Sequence, residues 1–68
     1  MEAEKWGKRI RAYRKLKGYT QVSFAKTLGI SVSVLGEIER GTRMPTEQMI
    51  NRASYELGVP IHELTPKE

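Results

Sequence analysis

Residues 20–41 read TQVSFAKTLGISVSVLGEIERG, and this stretch decides the fold. It holds two short amphipathic segments on either side of Gly29, each preceded by a hydroxyl residue that can cap a helix. Glycine tolerates the positive φ that a tight bend requires, and Ala25 is small enough to lie where two helices cross. The stretch therefore predicts helices at about 21–28 and 32–40 that meet at a steep angle.

The segment before this stretch, about residues 2–17, also has a helical pattern. Apolar residues recur there near the 3.6-residue period and predict a buried stripe. The predicted stripe consists of Trp6, Ile10, Tyr13 and Leu16. Gly18, Gly29, Gly41 and Gly58 each follow an amphipathic segment, where a left-handed residue can end a helix.

Two further helical segments follow residue 41. A fourth helix is predicted after Pro45 with Thr46 as its cap, and a last single turn begins at Pro60. No segment alternates as a strand does, so the predicted fold class is all-α with five helices. We expect one domain over residues 1–68, with a frayed polar tail at 65–68.

Composition restricts the function classes. The chain has 68 residues, no cysteine, no aspartate and a single histidine, His62. These counts argue against a disulfide, a metal site and a Ser-His-Asp arrangement, so we expect neither cofactor nor metal and no enzymatic activity. No apolar run approaches the ~18 residues of a membrane span, and no signal-peptide segment is seen. A cytoplasmic protein without a membrane partner is expected.

Charge is distributed unevenly along the chain. The formal net charge is +4, of which residues 1–43 carry +6 and residues 44–68 carry −2. A basic front suggests a polyanionic partner. The alternative is that the basic residues of the first helix are only its solvated face, and the sequence leaves both open. Those residues are Lys5, Lys8, Arg9, Arg11, Lys15 and Lys17.

The ordered motif resembles the Cro and phage-repressor type of helix-turn-helix, the XRE family. That family's pattern is T-Q-x-x-x-A-x-x-x-G-[IV]-S, followed by an apolar pair and E-x-G. The matching residues are Thr20, Gln21, Ala25, Gly29, Ile30, Ser31, Leu35, Ile38, Glu39 and Gly41. The resemblance covers about 60 residues. It implies a compact five-helix, lambda-repressor-like DNA-binding domain whose helix-turn-helix spans about residues 20–40.

The resemblance also implies roles for individual residues on double-stranded DNA. Ser31, Val32, Ser33 and Glu37 would face base edges in the major groove. Gln21, Arg40, Thr42 and Arg43 would contact the phosphate backbone, which sets register without reading sequence. Arg14 and Glu39 occupy positions that form a buried ion pair in some phage repressors, so we interpret them as architectural.

The predicted base-reading face lacks the usual readers of bases. No Arg, Lys, Asn or Gln lies between Ser31 and Glu37, although these side chains make the bidentate contacts to guanine and adenine. Gly36 either permits a close approach to DNA or is merely tolerated there. We expect weak direct readout with a larger contribution from DNA shape.

A single module of this size makes few contacts, so a weak homodimer is expected through the fourth helix and Val59–Leu64. The resemblance favours a repressor. The rival hypothesis is a protein-interaction module of the same fold that binds a partner regulator and has lost specific DNA readout. The missing base readers and the apolar Val32 and Val34, expected to be exposed, motivate it.

Overall fold

The computed structural model describes residues 2–67, which form five α-helices and, within that range, no strand. The predicted all-α, five-helix fold is confirmed, and the predicted end of the first helix is wrong by one residue. Met1 and Glu68 lie outside the described residues. The helices are α1 Glu2–Leu16, α2 Gln21–Leu28, α3 Val32–Arg40, α4 Glu47–Leu57 and α5 Ile61–Leu64.

Side-chain caps and glycine turns place the helix ends where the sequence predicts them. The hydroxyls of Thr20, Ser31 and Thr46 each accept a hydrogen bond from a backbone N–H in the first turn of α2, α3 and α4. Gly29 ends α2 with φ at 76°, and its left-handed conformation turns the chain directly into α3. These local interactions fix the short connection between the two helices.

Each of the five helices contributes between one and three residues to the hydrophobic core. Ile10, Phe24, Leu35 and Leu64 are fully buried and come from α1, α2, α3 and α5. The remaining buried apolar residues are Trp6, Ala25, Leu28, Ile38, Met49, Ala53 and Leu57. Because α3 contributes Leu35 and Ile38 to this core, its opposite side is held at the surface.

The prediction that Leu16 belongs to the buried stripe of α1 is wrong, since 73% of its surface is exposed. At about 100° per residue, Leu16 points roughly 120° away from Ile10 around the helix axis. Arg14 lies only about 40° from Ile10 and is buried in its place. A charged residue thus occupies a position that hydrophobic periodicity assigns to an apolar one.

Helix α1 approaches the C-terminal end of α3 very closely at Gly7. A Cβ atom on Gly7 would lie 2.2 Å from the carbonyl oxygen of Ile38 and 2.8 Å from that of Glu39. Any larger residue would push α3 away, because the atoms it meets belong to the backbone. Gly7 therefore sets the separation between α1 and the helix that follows the Gly29 turn.

A polar contact joins α5 to α1. The Tyr13 hydroxyl donates a 2.7 Å hydrogen bond to Oε1 of Glu63, and Arg9 Nε donates to the Glu63 carbonyl at 2.9 Å. The bond from Tyr13 is the main reason that the pKa of Glu63 lies below its ordinary value and the pKa of Tyr13 above. Beyond α5, Thr65 bonds back to the Ile61 carbonyl. Fraying of residues 65–68 remains a prediction.

Candidate nucleic-acid interface

The N-terminal half of α3 presents a small, mostly uncharged surface. Ser33 is exposed, and 41% of the surface of Val32 is accessible. Ser31 accepts a 3.1 Å hydrogen bond from the Val34 N–H, so its oxygen caps the helix while its own hydrogen stays free to donate. Two hydroxyls and one apolar side chain are therefore available here to a partner.

Two residues of α3 are less exposed than the sequence predicts. Gly36, expected on the outer face, is buried, and its missing Cβ would lie 3.0 Å from the terminal Nη1 of Arg40. Val34 is half-buried and packs against the hydrophobic core. The outer face of α3 is narrower than expected because the Arg40 side chain covers Gly36 and the Val34 side chain packs partly against the core.

The end of α3 and the loop after it form one hydrogen-bonded unit. Arg43 Nε donates to Glu37 Oε1 at 2.6 Å in an exposed ion pair. The N–H and the hydroxyl of Thr42 both donate to the Glu37 carbonyl, at 2.9 and 3.2 Å. Three predicted contact residues are thus brought together, and the carboxylate on the outer face is partly neutralised.

A buried network lies behind α3. Arg14 donates to both carboxylate oxygens of Glu39, at 2.7 and 3.0 Å, and to the Tyr19 carbonyl at 3.0 Å. Gln21 Nε2 donates to Glu39 Oε1 at 3.0 Å. The pair links α1 to α3, and its bond to Gln21 fixes the amide at the start of α2. One N–H and the carbonyl oxygen of that amide have no partner within residues 2–67.

Gln21 and Arg40 also line a wide concavity between α1 and the helix-turn-helix. Its volume is about 510 Å³, and Lys8, Arg11 and Lys15 of α1 form its other side. We call this surface the basic groove. Two of the predicted backbone-binding residues therefore share a surface with cations of α1, whose role the sequence left open.

Neither a metal centre nor a membrane span is apparent within residues 2–67. No three His or Glu side chains in that range lie close enough together to hold an ion. None of the helices described there is both long and apolar enough to cross a bilayer.

Comparison with known proteins agrees with this geometry. A model of the family described as helix-turn-helix matches residues 10–64. The chain belongs to the helix-turn-helix family. An uncharacterized HTH-type transcriptional regulator of Bacillus subtilis, YazB, is 63% identical over 68 residues, which cover 100% of this chain and 99% of YazB. The match confirms the resemblance that the motif carries.

A second relative is the HTH-type transcriptional regulator SinR of Bacillus subtilis. It is 39% identical over 59 residues, which cover 85% of this chain and 53% of SinR. The chain thus spans about half the length of that relative. Like YazB, SinR is a transcriptional regulator, and this helix-turn-helix chain is not an enzyme.

Solved structures give the same fold. The clp gene regulator ClgR of Corynebacterium glutamicum superposes with a TM-score of 0.90 at 25% identity, over 94% of this chain and 68% of that one. SinR, described as the master regulator for biofilm formation and solved in complex with DNA, superposes with a TM-score of 0.81 at 38% identity. That match covers 87% of this chain and 95% of the solved chain.

Sequence reasoning missed two features of this surface. It did not anticipate that Glu37 pairs with Arg43, because the six-residue separation spans the end of a helix and no helical spacing rule applies. It also left the basic groove unrecognised. The signal for the groove was the spacing of Lys8, Arg11 and Lys15, which lie on one side of a helix.

Proposed function

We propose that this protein is a sequence-specific, DNA-binding transcriptional regulator of the cytoplasm that inserts α3 into the major groove. The observation that carries the proposal is the two-sided character of α3. Leu35 and Ile38 are buried in the core, whereas Val32 and Ser33 are exposed at the surface. A short helix held at the surface by its apolar side is the element that such proteins dock into the groove.

Base edges are contacted by Ser31, Val32, Ser33 and Glu37. The Val32 side chain packs on a thymine methyl group, and the two serine hydroxyls bond to base edges with little discrimination. Glu37 accepts from a cytosine amino group once Arg43 has turned away. Only one of these four contacts distinguishes a base strongly, so DNA shape supplies much of the preference.

The phosphate backbone is contacted by Gln21, Arg40, Thr42 and Arg43. Gln21 uses its second amide hydrogen, since Glu39 occupies the first and holds the side chain in place. Arg40 makes no ion pair with residues 2–67, so its charge is available. Arg43 exchanges the Glu37 carboxylate for a phosphate. These contacts supply affinity and register for all sequences alike.

Two copies bind to a palindromic site as a homodimer. One module buries too little surface for tight specific binding. The candidate dimer surface comprises α4 and Val59–Leu64, where 79% of Tyr55 and 43% of Ile61 are exposed. Repression rather than activation follows from the resemblance to phage repressors.

A protein-interaction module is the second candidate. The exposed apolar surface favours it, since Val22 is 65% exposed and Val32 41% exposed, and a partner regulator could cover both. The Glu37–Arg43 pair also leaves α3 without a free base-reading charge. Ionic strength separates the two functions, because only a DNA complex held by phosphate contacts weakens steeply as salt rises.

The test is a selection of bound fragments from genomic DNA, followed by titration of the best duplex at several salt concentrations. We expect Arg43→Ala and Gln21→Ala to weaken all duplexes together, and Val32→Ala to change which duplex is preferred. Lys26→Ala is a matched control for lost charge, because Lys26 forms no ion pair with the described residues 2–67 and lies at the far end of α2. If no fragment is enriched in dilute buffer, specific DNA binding is refuted.

A further inference from the structure

Most arginines of the chain are held by partners, but the cations of the basic groove are not. Arg14, Arg43 and Arg52 form ion pairs with Glu39, Glu37 and Glu56. Arg9 donates to a backbone carbonyl. By contrast, none of the four groove cations forms an ion pair or a side-chain hydrogen bond with residues 2–67. These four are Lys8, Arg11, Lys15 and Arg40.

The groove concentrates positive charge because its one acidic residue is already neutralised. Glu39 lies at its floor, but the side chain is only 2% exposed and both its oxygens accept from Arg14. Four exposed cations therefore face a concave surface with no opposing free carboxylate among the lining residues. Unpaired cations crowded together on a folded protein repel one another, and a polyanion relieves that repulsion.

We propose that the basic groove binds the phosphate backbone of DNA next to the base pairs that α3 contacts. The inference rests on the proposed function and extends the interface beyond the helix-turn-helix to Lys8, Arg11 and Lys15 of α1. Continuity supports it, because Gln21 and Arg40, which we assign to the backbone, line the same groove. A DNA strand whose phosphates contact those two residues therefore continues along α1.

The spacing of the cations fits a nucleic-acid strand. Lys8, Arg11 and Lys15 lie within about 60° of one another around the helix and span about 10 Å along its axis. One strand of a duplex advances about 3.4 Å per nucleotide along the DNA axis. Successive phosphates of a strand also rotate about that axis and lie farther apart than this rise, so the three side chains match two or three neighbouring phosphates, which flank the half-site and carry no base-specific contact.

The test compares two double variants that lose the same charge. Arg11→Gln/Lys15→Gln removes two groove cations, and Lys26→Gln/Lys67→Gln removes two cations that do not line the groove. Binding of the selected duplex is followed by fluorescence anisotropy over a salt series. The series is repeated with a duplex shortened by four base pairs at each end. Thermal unfolding checks that both variants fold as the wild type does.

The groove variant should bind the long duplex on the order of a hundredfold more weakly near 0.1 M salt. Its slope of log affinity against log salt should fall by about two, with the ranking of duplex sequences unchanged. On the short duplex the loss should shrink, and the control variant should stay close to wild type. If both variants lose affinity equally while the wild type binds, the groove has no such role. If the wild type binds no duplex, the proposed function fails as well.

Discussion

Glu37 of α3 and Arg43 of the loop after α3 form an ion pair, with Arg43 Nε 2.6 Å from Glu37 Oε1. Both side chains are partly exposed, so the pair contributes little to the free energy of unfolding, about 0–1 kcal/mol. An exposed pair is easily exchanged for a phosphate. In the free protein it partly neutralises the Glu37 carboxylate, which in the proposed complex would repel DNA from the outer face of α3.

Replacing Glu37 by glutamine should therefore strengthen DNA binding in general and weaken discrimination. The substitution frees Arg43 for a phosphate and removes the negative charge near the DNA. We expect severalfold tighter binding to unrelated duplexes, together with a smaller preference for the selected site. Competition titrations with the selected and a scrambled duplex measure both effects.

A matched control exists in Glu56→Gln, which removes the carboxylate of the Arg52–Glu56 pair within α4, while Arg52 keeps its bond to the Thr27 carbonyl. It changes the net charge equally but lies outside the residues that we assign to DNA. Equal effects of the two substitutions would mean that Glu37 acts only through the overall charge of the protein.

Gly7 should not tolerate alanine, although alanine is the better helix former. Its Cβ would collide with the carbonyl oxygens of Ile38 and Glu39, which are backbone atoms and cannot move alone. We expect the free energy of unfolding to fall by about 1–3 kcal/mol, even after the gain in helix propensity. Urea denaturation followed by circular dichroism measures the change.

Gly36→Ala is the companion to this experiment. Its Cβ would lie 3.0 Å from the end of the flexible Arg40 side chain and 3.8 Å from Nε2 of Gln21, an ordinary contact, and would meet no backbone atom among these neighbours. The expected result is unchanged stability or a gain of up to about 1 kcal/mol from helix propensity. A stability loss like that of Gly7→Ala would contradict the packing described for α1 and α3.

Replacing only one partner of the buried Arg14–Glu39 pair should strongly lower the free energy of unfolding. Glu39→Gln leaves the Arg14 charge buried without a counter-charge, which typically costs about 3–5 kcal/mol. Stability of a 68-residue chain is modest, so much of it would be lost. Chemical denaturation of Glu39→Gln, Arg14→Met and the double variant tests this. The double variant should be more stable than Glu39→Gln, and additive losses would refute a direct interaction.

Stability should depend on pH through Tyr13 and Glu63. The hydrogen bond from Tyr13 holds the pKa of Glu63 below its ordinary value of 4.5. Its stabilising contribution is therefore complete above pH 4.5 and is lost as the pH falls through the lower pKa of the folded protein. The pKa of Tyr13 is raised above 10.0 by the same bond, so stability is also lost as the pH rises beyond that value.

Tyr13→Phe should reduce the loss of stability at both acidic and alkaline pH. The measurement is the midpoint of thermal unfolding at a series of pH values from 3 to 11. Tyr55→Phe serves as the control, since 79% of Tyr55 is exposed and its hydroxyl forms no hydrogen bond with residues 2–67. A Tyr13→Phe profile that parallels the wild type would show that the contact between α1 and α5 does not form in solution.

The fold could be predicted from the sequence because its signals are local. The capping hydroxyls of Thr20, Ser31 and Thr46 and the left-handed Gly29 act over three or four residues, which a linear pattern shows directly. Leu16 was wrongly assigned to the core because hydrophobic periodicity considers only apolar residues. It cannot predict that Arg14 is buried, since that burial depends on Glu39, 25 residues away.

The candidate site could be predicted only in outline. Motif positions point to α3 and the residues around it, but pairing between side chains depends on the turn after α3 and on the distance set by Gly7. The Glu37–Arg43 pair and the bond from Gln21 to Glu39 therefore appear only in three dimensions. The role of the α1 cations could not be predicted for the same reason. Basic residues have the same spacing along a helix whether they form a solvated face or one side of a groove.

The most direct test of the account is an NMR titration of the isotopically labelled protein with its selected duplex in dilute buffer. Backbone amides of Ser31–Ser33 and the side-chain amide of Gln21 should shift most, with smaller shifts in the residues of α1 that line the basic groove. Amides of α3 that stay unchanged while the protein is saturated with DNA would contradict the claim that this helix enters the major groove.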